Sequence, residues 1–432
     1  MTLSTSTKPL ILLRAEYKPN EHRTPLTPSH LSSLTHKYNF IVETSQERIF
    51  SDKEYENAGA KIVNQGEWLH FCERYDKDGT GYVLGLKELP EPKEVMQCEI
   101  KDESKKIPIE TPFAVRHRHI MFAHCYKYQN DWKSTMQRFK EGNAELLDLE
   151  FLQWDNGRRV AAFGRAAGFA GMAVGMLGYV AQQQQLEKNP QAQNVNLQLD
   201  WYRNNADLVN LVKKQLATLK EQPVVLVLGA LGRCGGGAVQ FAREAGLPEE
   251  KVIQWDLEET KVGGPFLELL LKPHILVNCI YVNGKIPPFI DQELLSQVDS
   301  RKERRLSVFV DVSCEMSQNN PFPINNKITT FPDPLRRLVQ PLEGVPPLDC
   351  CAIDHLPAMI PRQSSEDFSQ DLYETLARLG DADTTRELDQ LEKLAKETDE
   401  NDPEMDEKKH LRVWYRAKAL FQKKLRELEE SQ

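Results

Sequence analysis

Several short polar clusters in this chain hold residue types that could do amine chemistry. Arg14-Ala15-Glu16 is followed by Arg23. Lys87-Glu88 stand together, His124-Cys125-Tyr126-Lys127 form a run, and Glu150 precedes Arg158-Arg159. Arg23 and Arg159 can grip carboxylates with paired hydrogen bonds. Glu88 and Glu150 can bind an ammonium group or tune a neighbouring base. His124 titrates near neutrality unaided, whereas Lys87 becomes a base only where burial or nearby cations lower its pKa. Beside a nicotinamide, a Lys/His pair with two arginines suits oxidation of an amine that carries carboxylates. Taken singly, each charge reads as readily as a surface group or half of an ion pair. The set gains weight from where its members fall.

They fall at the ends of apolar runs. Leu10 to Arg14, Phe40 to Glu43, Tyr82 to Leu86, His119 to His124 and Leu146 to Leu149 read as strands. Helical segments lie between them at Pro28 to His36, opened by Thr27, and around Asp131 to Lys140. Strands alternating with helices predict a parallel α/β sheet. In such sheets ligands sit beyond the carboxyl ends of the strands, so the polar clusters should converge there.

A second α/β unit follows. Val224 to Leu228 runs into Gly229-Ala230-Leu231-Gly232-Arg233-Cys234-Gly235-Gly236-Gly237, and a helix-like segment from Ala238 to Ala245 comes next. A buried strand that meets a glycine turn and then a helix is the arrangement that cradles a pyrophosphate on first-turn N–H groups. The spacing is G-x-x-G-x-x-G, looser than the strict dinucleotide fingerprint, so the context carries the reading. The next strand, Lys251 to Trp255, ends in Asp256, where a ribose-binding acid is expected, and an acid there favours NAD over NADP. Further strands are expected at 274–279 and 307–312. Cys234 and Cys279 follow strands that can be neighbours. They could form a disulfide, although two free thiols are the expectation in a reducing cell.

The fold class expected is α/β: two Rossmann-like doubly wound domains with a cleft between them and a C-terminal helix returning to the first. Residues 1–158 and 360–432 would form the substrate-binding, catalytic domain and 159–359 the NAD-binding domain. Val160 to Ala181 is apolar over a membrane-like length, but it contains Arg165 and is mostly Ala and Gly,. Its glycines at 164, 168, 171, 175 and 178 share one helical face, which predicts close packing against other backbone rather than a membrane span,. The segments 91–116 and 381–409 are charge-dense and read as surface insertions. Residues 411–430 read as an amphipathic helix that docks on the body.

With 432 residues, 40% hydrophobic and 28% charged, the chain is long enough for two or three domains with substantial cores,. A net charge of −9 offers no basic field for nucleic acid,. No Cys or His spacing suggests a metal site. The N-terminus has no signal-peptide pattern and the chain ends Glu430-Ser431-Gln432 without a peroxisomal tripeptide, so a cytoplasmic location is expected,. No sustained heptad repeat appears, and a monomer is expected.

The strings Leu13-Arg14-Ala15-Glu16, Gly85-Leu86-Lys87-Glu88-Leu89-Pro90, Phe122-Ala123-His124-Cys125-Tyr126-Lys127, Asp148-Leu149-Glu150-Phe151-Leu152, Gly157-Arg158-Arg159-Val160-Ala161-Ala162-Phe163-Gly164 and Ile353-Asp354-His355-Leu356-Pro357, with the glycine turn, occur in this order. Together they resemble the fungal NAD-dependent, lysine-forming saccharopine dehydrogenases, in the alanine dehydrogenase/transhydrogenase-like group. The resemblance runs from about residue 10 to about residue 370 and resumes in the final helix. It implies saccharopine, NAD and water as reactants and lysine, 2-oxoglutarate and NADH as products, the last step of the aminoadipate route to lysine. It implies that Lys87 and His124 are the acid–base groups. Arg23, Gln129, Arg159 and Phe163 would contact substrate, with Glu88 and Glu150 holding the polar site. Arg158, Gly232, Arg233, Asp256, Thr260, Tyr281, Val312 and Ile353 to Leu356 (Ile353, Asp354, His355, Leu356) would serve the cofactor. Glu315 stands where the family carries an aspartate. Two other readings remain open: another amino-acid or opine dehydrogenase of the alanine type, and a non-catalytic NAD-binding interaction protein with 381–409 as its arm.

Overall fold

The computed structural model describes residues 8–90, 114–129, 131–282, 284–316, 319–382, 387–396 and 405–431. Most of the charge-dense segment 91–116 and parts of 381–409 lie outside them. The chain divides into two compact units, residues 1–162 with 365–432, and residues 163–364.

The first unit is built on six strands, β1 (Leu10–Leu13), β2 (Asn39–Glu43), β3 (Lys61–Val63), β4 (Tyr82–Leu84), β5 (Arg118–Met121) and β6 (Glu145–Asp148). They form one sheet in the order β3-β2-β1-β4-β5-β6, and every pairing is parallel. β1 and β4 are apolar and almost wholly buried because parallel strands are covered on both faces,. Between them the chain reverses its direction of travel across the sheet, which opens a crevice at their carboxyl ends. Thr27 caps the helix Pro28–Leu34 by accepting from the His30 N–H. Ser51 and Glu54 form a capping box on the helix Asp52–Asn57,.

The C-terminal helix Met405–Glu430 covers one end of this sheet. Its Phe421 meets Phe139 edge-on at 6.2 Å. Lys418 Nζ reaches Glu145 at 2.9 Å, and Asp155 takes 2.7 Å bonds from both Arg412 and Arg416. The amphipathic pattern at 411–430 is thereby accounted for, within a longer helix.

The second unit holds β7 (Val225–Leu228), β8 (Val252–Trp255), β9 (Ile275–Asn278), β10 (Val308–Asp311), β11 (Arg336–Val339) and β12 (Leu348–Cys351). Their order is β11-β12-β10-β9-β7-β8, parallel except for the edge pair β11/β12. Along β7, Val225 and Val227 face one core cluster, with the helices Gly164–Lys188, Asn205–Leu216 and Arg233–Glu244. Leu226 and Leu228 face the other, with Leu269, Leu270, Phe309 and Phe322. Two apolar faces explain the unbroken apolar run that begins the glycine motif.

The helix Gly164–Lys188 packs by its glycine face. A Cβ on Gly168 would lie 1.9 Å from the Cys234 carbonyl oxygen, and one on Gly171 would lie 2.7 Å from Val312 Cγ2. Gly175 and Gly178 abut Ile275 and Leu335 in the same way. No described helix is long and apolar enough to cross a membrane.

Candidate active site

In the first unit the polar clusters leave the carboxyl ends of β1, β4, β5 and β6. Lys87 and Glu88 follow β4, and His124 follows β5 at a left-handed φ of 50°. His124 Nδ1 makes a very short hydrogen bond to a Glu88 carboxylate oxygen. Burial alone would raise the Glu88 carboxyl, but the hydrogen bond and charge of His124 outweigh it and bring the pKa down to about 2. The pair is therefore a carboxylate that orients an imidazole, leaving Nε2 for a reacting atom. Phe122 stacks 6.0 Å from the His124 ring and supports it from behind.

Lys87 sits beside this pair. Burial is the main cause that lowers its pKa, and the Arg23 guanidinium adds to the effect. The acids Glu21 and Glu88 oppose the shift without reversing it. An amine in this setting can lose and regain a proton at lower pH than a solvated lysine. Along the same sheet edge burial raises two more carboxyls to about 7, Glu43 at the end of β2 and Asp148 at the end of β6.

Glu150 joins the cluster from the turn after β6. It accepts from Lys127 Nζ at 2.7 Å and from Arg159 Nη2 at 3.2 Å. Burial opposes its ionisation, but Lys127, Arg159 and His124 together lower its pKa. Gln129 Oε1 accepts from the Lys127 N–H at 3.1 Å, so it borders the same turn. Lys87, Glu88, His124, Gln129, Glu150 and Arg159 thus occupy the carboxyl edge of one sheet, as the strand-end rule requires.

Three further candidates have surroundings of their own. Arg23 is 3% exposed and makes a bidentate pair with Glu21, at 2.7 Å from Nε and 2.6 Å from Nη2. Two of its donors therefore face its own neighbour rather than solvent. Glu21, two residues away in sequence, also feels the Lys87 charge and was not among the expected residues, although the acid–Arg spacing was an available signal. Arg158 is exposed in the short hairpin closed by the Gln153/Arg159 bridge. Phe163 belongs to the second unit.

In the second unit the cofactor candidates line the carboxyl edge of the other sheet. Gly229 has φ +75°, which an L side chain rarely adopts, and Gly232 caps the helix Arg233–Glu244. A Cβ on Gly235 would lie 2.1 Å from the Gly229 oxygen, so the turn exists only with glycine there. Asp256 Oδ2 accepts from the Leu231 N–H at 2.9 Å, and Thr260 Oγ1 donates to the Asp256 carbonyl at 2.8 Å. Gly232, Asp256 and Thr260 therefore form one locality. Arg233 starts the helix there. Tyr281 follows β9 with 67% exposure, and Val312 follows β10. Asp354 and His355, joined at 2.5 Å, follow β12. Ile353 and Leu356 are each 1% exposed, so they shape the core beneath this edge, with backbone the part left to meet a ligand. Glu315 lies four residues beyond β10.

A glycine turn exposed at Leu231 and Gly232, a twelve-residue helix beginning at Arg233 and an acid at the end of the next strand fit a dinucleotide with a free 2′-hydroxyl,. Cys234 and Cys279 are both free thiols. They lie close enough that a hydrogen bond between them, with burial second, raises the Cys279 thiol well above its ordinary value.

Comparison with known proteins decides the family. Saccharopine dehydrogenase (NAD+, L-lysine-forming) of Yarrowia lipolytica is 42% identical over 95% of this chain and 96% of its own length. The chain belongs to this family. The Candida albicans enzyme of the same name is 38% identical over 98% of this chain and 99% of its own. The N-terminal domain model of alanine dehydrogenase and PNT matches residues 12–170. A solved L-alanine dehydrogenase covers 89% of this chain and 92% of its own at a TM-score of 0.57 and 15% identity. That likeness shows a shared fold.

Proposed function

We propose that this chain performs the reaction its relatives are named for, the NAD-dependent conversion of saccharopine to lysine and 2-oxoglutarate. The observation that carries the reading is the Lys87, Glu88 and His124 cluster in a chain 42% identical to a relative of that name. NAD, when bound at the Gly229–Gly235 turn, supplies the hydride acceptor; the residues of the chain handle the protons.

Lys87, with its pKa lowered by burial, takes the proton from the secondary amine of saccharopine as that carbon is oxidised,. His124, oriented by Glu88, serves the water that adds to the resulting imine and then the collapse of the carbinolamine to lysine and the 2-oxo acid,. Arg159 offers a guanidinium to a substrate carboxylate, with Glu150 as the acid that holds it,. Arg23, held by Glu21, contributes positive charge beside Lys87. Asp256 receives the adenosine ribose, Gly232 and Arg233 the pyrophosphate, and Thr260, Tyr281, Val312 and Ile353 to Leu356 the rest of the coenzyme. Gln129 and Phe163 are assigned to the substrate and Arg158 to the coenzyme.

We place the enzyme in the cytoplasm as a monomer. Seven free cysteines among the described residues support a reducing compartment,. A substrate panel tests the activity. NADH should be consumed with lysine plus 2-oxoglutarate, with NADPH far poorer, and not with pyruvate plus ammonia. Turnover of pyruvate and ammonia alone would assign the chain to alanine-type chemistry instead.

A further inference from the structure

β1 and β4 are hydrogen-bonded neighbours, but the segments that leave them are tied by more than the sheet. Glu16, just after β1, sends its two carboxylate oxygens to consecutive amides of the β4 exit. Oε1 accepts from the Leu86 N–H at 2.7 Å and Oε2 from the Lys87 N–H at 2.9 Å. Arg14, directly after β1, donates from Nη2 to the Lys87 carbonyl of that exit at 2.7 Å. Arg14 and Glu16 also pair with each other at 3.5 Å.

This arrangement is buried and closely fitted. Arg14 is 2% exposed. Its guanidinium lies against Gly85 so closely that a Cβ there would sit 2.6 Å from Nη2 and 2.8 Å from Nε. Glu16 in turn hangs from a segment that is itself fixed, since the buried Glu43 accepts from the Ala15 N–H at 2.9 Å and from the Trp68 N–H at 2.8 Å.

The peptide planes on both sides of the Lys87 Cα are thus held by charged side chains. Those planes set the direction in which the lysine side chain leaves the backbone. Charge-assisted bonds to backbone amides are the stronger kind, and they are stronger still away from water. We infer that Arg14 and Glu16 are positioning residues, which clamp the backbone of Lys87 from both sides and hold its amine where proton transfer takes place. The inference rests on the proposed role of Lys87.

A double-mutant cycle tests it. Glu16→Gln keeps the shape and one acceptor oxygen, but it turns an NH2 group toward a backbone N–H. Glu16→Gln, Lys87→Ala and the double variant are compared for kcat with lysine, 2-oxoglutarate and NADH, for NADH affinity and for melting temperature. Misplacing a reacting group by about 1 Å can cost on the order of 10²-fold, so Glu16→Gln should lower kcat ~10–100-fold. NADH affinity should stay the same. In the Lys87→Ala background the same substitution should change kcat less than about twofold, because nothing remains to be positioned.

An equal loss in both backgrounds, or parental kcat in Glu16→Gln alone, overturns the positioning role. Parental turnover in Lys87→Ala is a different failure, which removes the role of Lys87 and the inference with it. Should Glu16→Gln not fold, Gly85→Ala displaces the Arg14 guanidinium from its other side and is read in the same cycle with the same two outcomes.

Discussion

Replacing Gly168 with alanine should destabilise the second unit, although alanine is the better helix former. Gly168 lies in the helix Gly164–Lys188, and its missing Cβ would stand 1.9 Å from the Cys234 carbonyl oxygen and 2.7 Å from the Cys234 carbonyl carbon. The approach is reciprocal, because a Cβ on Gly237 would stand 2.0 Å from the Arg165 carbonyl oxygen. A carbon–oxygen contact needs roughly 3.3 Å, so the two helices must part by more than an ångström. The obstacle is backbone, which cannot rotate away as a side chain can. Overpacking of this kind costs about 1–3 kcal/mol, and the backbone obstacle puts the cost at the upper end. The alanine propensity gain of about 1 kcal/mol leaves a net loss near 2 kcal/mol. Gly236 is the internal control. It lies in the same glycine run, is exposed, and a Cβ there would meet only the Ala230 oxygen at 4.0 Å. Gly236→Ala should therefore gain ~0.5–1 kcal/mol. Urea unfolding of the two variants and the parent, compared at equal slope, reads the difference. Gly168→Ala as stable as Gly236→Ala would refute this packing argument.

Two further outcomes follow from carboxyls with shifted pKa values. Asp148 is 1% exposed, and burial raises its carboxyl to about 7, so the folded chain keeps a proton that the unfolded chain has lost. Its contribution is therefore present below the ordinary carboxyl range and is lost as pH rises from about 4 through 7. Asp148→Asn should flatten that fall, gaining on the parent by at most ~4 kcal/mol at pH 8; parallel stability–pH curves for the two proteins would count against it. Asp155 behaves oppositely, since hydrogen bonds from Arg412 and Arg416 hold its carboxyl below the usual range. Asp155→Asn should loosen the C-terminal helix by about 1 kcal/mol above pH 4, an effect kept small by the exposure of the acid and fading on acidification. Hydrogen exchange across residues 405–431 reads it, and unchanged protection there would contradict the role given to Asp155.

Much of this arrangement was legible because parallel strands covered on both faces are written as apolar runs. β1, β4, β7 and β9 are such runs, and the polar residues that end them lie at carboxyl edges. That is why Lys87, Glu88, His124 and Glu150 could be placed on one edge of a sheet from order alone. Three strands, β3, β11 and β12, were not legible. β3 is three residues, one exposed and two half-buried, β11 opens with two arginines, and β12 contains Asp349. Asp349 is tolerated because Arg337 and Gln182 satisfy it, from 12 and 167 residues away. The helix Asn205–Leu216 does carry a sequence signal, an Asn204 cap ahead of Leu208, Val212 and Leu216 at helical spacing. At the site, the Arg23–Glu21 pair and the grip of Glu16 on the Lys87 amide depend on side-chain directions, and the second spans 71 residues. Apolar periodicity holds no record of either.

The central claim is that Lys87 and His124 carry the proton transfers while a separate glycine turn holds the coenzyme. A Lys87→Met, His124→Gln variant tests it directly through NADH binding and steady-state turnover with lysine and 2-oxoglutarate. The account predicts parental NADH affinity with kcat lowered by at least ~10³-fold, since each acid–base group contributes on the order of 10²–10⁴. Near-parental turnover in that variant would contradict it.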